Sequence, residues 1–331
     1  TNPALADFLE ALAREGLALL RGPFAQAVLA EFGPQSGGLL CAQDLVAAVP
    51  RRLTPLRVPF AGHEVLLQPP PSSGGALIGL AMRLLAEPAA LKGGFLGPQH
   101  MLAVADALAV TSSARAGGFD DLVREAGADL LSDAAVARWR AHRAAEERAL
   151  GSTTHISVID AHGGAAAITL TNGEGCGHVV GDFGFQMNNF LGEEDINPGG
   201  FHRQPAGALM STMMAPTIAL RGGLPTLVLG SGGSNRIRSV VFQALANALA
   251  YDRPLHEAIA APRLHVEGQR LWFEDVDLPA GTAEAIRERW PQATAFDDRN
   301  MYFGGVHAVA LDDGGARAVA DHRRGGGVAL I

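Results

Sequence analysis

Gly151-Ser152-Thr153-Thr154-His155-Ile156-Ser157-Val158-Ile159-Asp160 is the stretch on which the reading of this chain turns. Upstream, a charged Ala/Arg-rich helical pattern over 132–149 stops at Gly151. A strand pattern starts at once, with two threonines at its head. A threonine hydroxyl in mid-chain is a poor nucleophile. Cutting Ser152–Thr153 would make Thr153 an N-terminal residue whose own amine can serve as base for its hydroxyl. An α-amine titrates at about 7.7–8.0, so part of it is neutral near physiological pH.

Downstream, residues 154–160 and 164–171 both read as strands, with His162-Gly163-Gly164 as the turn. An antiparallel hairpin with that turn returns Thr171 and Asn172 to the side of Thr153. Thr169 and Thr171 share a face because strand side chains repeat every second residue. Thr171 is therefore a candidate to hold the Thr153 hydroxyl or amine. Residues 173–210 are rich in loop formers and carry the acidic cluster Glu193-Glu194-Asp195. A second hairpin, 216–220 and 225–229, turns at Arg221-Gly222-Gly223. It leads into Gly230-Ser231-Gly232-Gly233, with Ser234 or Asn235 capping a helix over 236–250. A glycine turn ending at a helix N-terminus presents backbone N–H groups to an anion or a developing oxyanion. No Gly-Lys-Ser/Thr follows it, which excludes a nucleotide P-loop.

The rest of the pattern is mixed. Asn2-Pro3 opens a helix, another covers 23–32, and Asp44 is placed to cap a third. Residues 52–59 and 63–68 read as extended. Pro69-Pro70-Pro71-Ser72-Ser73-Gly74-Gly75 is a rigid loop before a helix at 76–86. Helices follow at 98–116 and 119–126. Beyond 250 come helices at 254–260 and 280–290, and strands near 263–266, 270–274, 304–311 and 317–321. Strand pairs with helices on either side point to an α+β fold with stacked sheets between helical layers.

Composition sets bounds. The chain has 331 residues, 48% hydrophobic and 18% charged, enough for a large core. A net charge of −8 with no basic stripe argues against nucleic acid as partner. No apolar run reaches the length of a membrane span. Cys41 and Cys176 give no disulfide framework, and His155, His178, His202 and His307 lack metal-ligand spacing. No metal or organic cofactor is implied. The chain starts at Thr1 without a methionine, so the compartment, cytoplasmic or periplasmic, stays open.

Thr153–Val158, the Pro69–Gly75 loop, Asn188-Asn189, Ser211-Thr212-Met213, Pro216-Thr217-Ile218 and Gly230–Arg236 together resemble the γ-glutamyltranspeptidase family, over most of the chain. That family consists of N-terminal-nucleophile hydrolases with a four-layer αββα sandwich. The resemblance implies autocatalytic cleavage between Ser152 and Thr153. It would leave a 1–152 piece of the large subunit and a 153–331 small subunit, which stay associated. It also implies that the first part of the usual large subunit is absent here.

Carried over by resemblance, Thr153 is the nucleophile that takes a γ-glutamyl group as an ester, and Thr171 supports it. Asn172, Glu193, Ser211 and Thr212 contact the substrate's amine or carboxylate. Gly232 and Gly233, with Ser234, form the oxyanion turn. The implied partners are a small γ-glutamyl donor of the glutathione type and an acceptor amine or water. Phe190 departs from the pattern, standing where the family has a hydrogen-bonding glutamine. Two alternatives stay open. A related acylase would keep the chemistry and cleave another amide, for which Phe190 suits a less polar acyl chain. An unprocessed, inactive homologue or fragment would keep Ser152–Thr153 intact. The arginines of Asp321-His322-Arg323-Arg324-Gly325-Gly326 are read first as ion-paired structure, and Arg236 as orienting the glycine loop.

Overall fold

The computed structural model describes residues 1–86, 94–125, 128–142, 153–197, 200–312 and 314–331. They fall into two compact units, Thr1–Leu53 with Asn172–Phe190, and Thr54–Thr171 with Leu191–Ile331.

The smaller unit carries α1 (Pro3–Glu15), α2 (Pro23–Phe32) and α3 (Ala42–Ala47). Asn2 caps α1 as its sequence suggests, accepting the Leu5 N–H at 3.1 Å, while its amide donates to the Gly184 carbonyl at 2.6 Å. Phe8, Phe24, Val28 and Val180 form the core, with Phe183 and Phe185 packed on it. The 172–190 loop is thus fixed by residues about 150 or more positions upstream, Gly181 N–H on Glu31 among them. Asp44 corrects an expectation. Cys41 holds the N-cap position of α3, and Asp44 sits three residues on, accepting the Cys41 N–H at 2.7 Å. A carboxylate in a first turn offsets the partial positive charge there just as a cap would.

The larger unit begins with β1 (Leu56–Phe60), β2 (His63–Leu67), α4 (Ser73–Leu85), α5 (Pro98–Ala116), α6 (Phe119–Glu125) and α7 (Asp133–Ala141). Helix α7 corrects the expectation of a helix over 132–149, because it ends at Ala141 with His142 extended as its C-cap; residues 143–149 lie outside the described residues. Then follow β3 (Thr153–Ile159), β4 (Ala165–Thr171), β5 (Thr217–Arg221), β6 (Leu224–Gly232) and α8 (Arg236–Leu245). A π-helical turn over 246–250 ends what the sequence reads as one helix. The chain closes with α9 (Leu255–Ala260), β7 (Leu264–Glu267), β8 (Arg270–Glu274), α10 (Thr282–Arg289), β9 (Thr294–Phe296), β10 (Gly305–Asp312) and β11 (Gly315–Ala320).

Six strands form one antiparallel sheet in the order β1-β2-β5-β6-β10-β11. Helices α4 and α8 pack on it and close the main core, in which Leu77, Leu80, Leu229, Val240 and Phe242 are fully buried. The β3–β4 hairpin is a second sheet stacked on β6 and β10. Two glycines permit the stacking. A β-carbon on Gly230 would stand 2.3 Å from the His155 ring, and one on Gly232 would stand 2.1 Å from the Thr153 carbonyl oxygen. Residues two apart on a strand share a face, so Gly230 and Gly232 together make the seat for β3. The fold is α+β, and the order helix, sheet, sheet is that of the sandwich expected from the sequence. On the outer face of the hairpin Ile156, Val158, Ile168 and Leu170 are exposed.

Candidate active site

Hairpin geometry places the first candidate residues. Thr153 pairs with Thr171 in the β3–β4 register, and the Thr153 hydroxyl donates to Thr171 Oγ1 at 3.3 Å. Alternation along β3 points Thr153, His155 and Ser157 toward the six-stranded sheet. Thr153 also borders a cavity of about 540 Å³ between β3, the start of β10 and the chain after Arg324. Ser152, the other half of the expected cleavage bond, lies outside the described residues.

Gly232 ends β6 directly beneath the Thr153 backbone, so Thr153 and the glycine turn are in contact. Gly233 (φ +131°) and Ser234 (φ +53°) then redirect the chain into α8. Arg236 N–H returns to the Gly233 carbonyl at 3.0 Å and Ile237 N–H to the Ser234 carbonyl at 3.0 Å. The Ser231 hydroxyl donates to the Gly232 carbonyl at 2.7 Å and accepts the Gly305 N–H at 3.2 Å, which ties the turn to β10. Arg236 is buried, with its Nε on the Tyr302 carbonyl at 3.3 Å and its guanidinium over the Tyr302 ring. Its side chain is thus spent on Tyr302, while its backbone N–H bonds the Gly233 carbonyl.

Beneath Thr153 lies a hydroxyl–imidazole chain centred on the buried His155. His155 bonds Thr169 Oγ1 at 2.8 Å through Nδ1 and Ser157 Oγ at 2.9 Å through Nε2. Ser157 spends its proton on the His307 carbonyl at 3.0 Å. Ser157 must then accept from His155, so Nε2 carries the hydrogen and Nδ1 accepts from Thr169. Burial lowers the His155 pKa to about 4, with His307 adding to the effect, so the ring is neutral at physiological pH.

The other expected contacts are arranged differently. Ser211 is buried, accepts the Ser73 N–H at 3.0 Å and shares a hydrogen bond with the Ser73 hydroxyl at 2.6 Å. Ser72 Oγ lies 3.3 Å from Thr212 Oγ1 and donates to the Thr212 carbonyl at 2.9 Å. These bonds start α4 at Ser73, three residues before the expected helix. Neither Ser211 nor Thr212 borders the cavity beside Thr153. Glu193 is buried, and its carbonyl accepts from the Asn197 amide at 2.7 Å. Asn172 follows Thr171 into the smaller unit, where its amide donates to the Gln186 carbonyl at 3.3 Å.

The C-terminal arginines separate into two roles. Arg323 is ion-paired as expected, 2.6 Å from Glu274 and 3.4 Å from Asp321, and Arg263 lies 2.6 Å from Asp321. Arg324 instead borders the cavity beside Thr153, with Nη2 on the Met301 carbonyl at 3.3 Å. The three glycines that follow it, Gly325–Gly327, were the sequence signal for this, since they let the chain line a cavity in place of a strand.

A family model described as gamma-glutamyltranspeptidase matches residues 1–331. The chain is 30% identical over 329 residues to the acylase ACY 1 proenzyme of Pseudomonas sp. (strain SE83), covering 94% of this chain and 57% of that one. It is 30% identical over 364 residues to the glutathione hydrolase proenzyme of Pseudomonas aeruginosa, covering 100% of this chain and 64% of that one. The chain therefore spans about three fifths of the length of these relatives. Its fold is that of the cephalosporin acylase of Bacillus halodurans, with a TM-score of 0.73 at 20% identity over 97% of this chain and 61% of that structure.

Proposed function

The chain belongs to the γ-glutamyltranspeptidase family, and we propose that it transfers or hydrolyses an acyl group held as an ester on Thr153, with γ-glutamyl amides as donors. The observation that carries the proposal is the stacking of Thr153 on Gly232 with its hydroxyl directed to Thr171. Cleavage of Ser152–Thr153 would free the Thr153 amine. That amine takes the hydroxyl proton as the oxygen attacks the amide carbonyl. Backbone N–H groups of Gly232 and Gly233, with Ser234, stabilise the developing oxyanion; such a donor is worth about 2.7–4 kcal/mol of barrier. The same ammonium returns the proton to the leaving amine, and water or an acceptor amine releases the acyl group. Thr171 holds the attacking oxygen in one rotamer.

After cleavage the 1–152 and 153–331 pieces would remain together. Strand β2 of the first pairs with β5 of the second, Val65 opposite Ala219, inside one sheet. In this reading Ser211 and Thr212 act on substrate through the α4 N-terminus that they organise, and Glu193 reaches it from its loop. A second reading, an acylase for a different amide, draws support from the 30% identity to the acylase proenzyme and uses the same nucleophile.

The test is covalent trapping. Brief exposure to γ-glutamyl-p-nitroanilide should release nitroaniline and add one acyl group to the peptide that begins at Thr153. Turnover without that adduct, or an adduct elsewhere, would contradict the proposal.

A further inference from the structure

Asn235 stands at the N-cap of α8, a position that suits asparagine, but its side chain makes no cap bond. It is fully buried, and both ends of its amide are spent on other elements. Arg115, in the last turn of α5, donates from Nη1 to Asn235 Oδ1 at 2.7 Å. Asn235 Nδ2 donates to Oε1 of Glu267, the last residue of β7, at 2.8 Å. A guanidinium can only donate and a carboxylate can only accept, so the amide has one orientation here. Burial works against a charge on Glu267, but His265, Arg238 and Arg115 outweigh it and hold its carboxyl below the usual range. Both bonds to Asn235 are therefore charge-assisted, the stronger kind.

The residues around Asn235 show what this clamp holds. Gly233 and Ser234, which precede it, both have positive φ, +131° and +53°. A serine in the left-handed region is strained and stays there only where its surroundings impose it. Upstream, Ser231 ties the turn to Gly305. Downstream, Asn235 ties it to α5 and β7. Those two elements are gripped again by Arg238, which donates to Thr111 Oγ1 at 2.8 Å and to the Val266 carbonyl at 2.9 Å. Arg115 is itself braced by Asp120 at 3.2 Å.

We propose that Asn235 is a positioning residue for acyl transfer: clamped between Arg115 and Glu267, it fixes the Gly232–Ser234 turn against Thr153. The inference rests on the Thr153 reading and deepens it. Asn235 acts through the turn, whose N–H groups are aimed before substrate arrives and need no reorganisation as charge develops. Arg115 lies in the 1–152 piece, and Asn235 and Glu267 lie in 153–331. The aim of the turn therefore depends on both pieces staying together after cleavage.

The experiment is an exchange of polarity. Asn235→Asp keeps the shape and the acceptor for Arg115 but sets a carboxylate against Glu267. Glu267→Gln alone keeps an oxygen that accepts from Asn235. The two substitutions together restore the bond with donor and acceptor exchanged. With γ-glutamyl-p-nitroanilide, kcat should fall roughly 10- to 100-fold in Asn235→Asp at nearly constant KM, and most of that loss should return in the double variant. Glu267→Gln alone should stay near the parent. Hydrogen exchange of the peptide holding Gly232–Ile237, read by mass spectrometry, needs no turnover. It should quicken in Asn235→Asp and slow again in the double variant. Parent kcat in Asn235→Asp, or a raised KM in place of a lowered kcat, would overturn the proposal. So would a double variant whose exchange recovers while its kcat does not, because the clamp would then serve the scaffold alone. If Asn235→Asp does not fold, the double variant decides in the same way. A parent with no turnover would sink the Thr153 reading, and exchange alone would then decide whether Asn235 holds the turn.

Discussion

The carbonyl oxygen of Thr153 lies 2.1 Å from where a β-carbon on Gly232 would stand. No side chain fits between the head of β3 and the end of β6, so Thr153 and the glycine turn are held against each other. Gly232→Ala should push β3 away from the turn. Overpacking of this kind costs about 1–3 kcal/mol, and a misplacement near 1 Å costs on the order of 10²-fold in rate. Urea unfolding and steady-state turnover would measure the two together. An alanine variant with parent activity would break the link between this contact and catalysis.

Thr171 offers a cleaner probe, because Thr171→Val keeps the shape and removes the hydroxyl that receives the Thr153 hydrogen. Loss of one such bond is worth about 1 kcal/mol, more where charge develops, so kcat should fall roughly 10-fold or more with KM nearly constant. Thr171→Ser should retain most of the rate. A Thr171→Val enzyme that loses only substrate affinity would assign Thr171 to binding.

Acid sensitivity follows from three buried histidines. His100, His155 and His265 each have a pKa lowered to about 4, with burial as the main cause. In the unfolded chain each titrates near 6.5. Between those values the unfolded state binds more protons, so stability is full above about pH 6.5 and declines as pH falls toward 4. Each histidine contributes up to about 1.4 kcal/mol per pH unit in that window. Unfolding curves at pH 7, 6, 5 and 4 should show the slope, and His155→Asn should make it shallower. A flat profile down to pH 4 would mean that these rings are solvated.

The Arg323–Glu274 pair, fully buried at 2.6 Å, gives a stability prediction away from the cavity. Arg323→Met strands a carboxylate in the core and should cost about 3–5 kcal/mol. Adding Glu274→Gln removes the stranded charge and should recover part of the loss. Chemical denaturation of the single and double variants decides it. Additive losses would show that the two side chains are not coupled.

The hairpin was legible because both its strands alternate and a glycine turn sets their register, so Thr171 could be placed opposite Thr153 from spacing alone. Partners far along the chain were not. Ser211 meets Ser73 across 138 positions, and no local pattern says that its hydroxyl starts a helix. The docking of 172–190 with 1–53 depends on Phe8, Phe24, Phe183 and Phe185 meeting, which neither segment announces. Strand β9 has three residues and pairs in parallel with β8, too short for any period to show. Arg323 and Arg324 are adjacent in sequence and chemically alike. What separates them is Glu274, 49 residues away, which claims only the first.

The most direct test of the central claim is the intact mass of the purified protein under denaturing conditions, with Thr153→Ala beside it. Two pieces, 1–152 and 153–331, are expected from the parent and one uncut chain from the variant. A single uncut chain from the parent would contradict the claim that Thr153 becomes its own base. Cleavage that persists in Thr153→Ala would contradict the claim that Thr153 does the cutting.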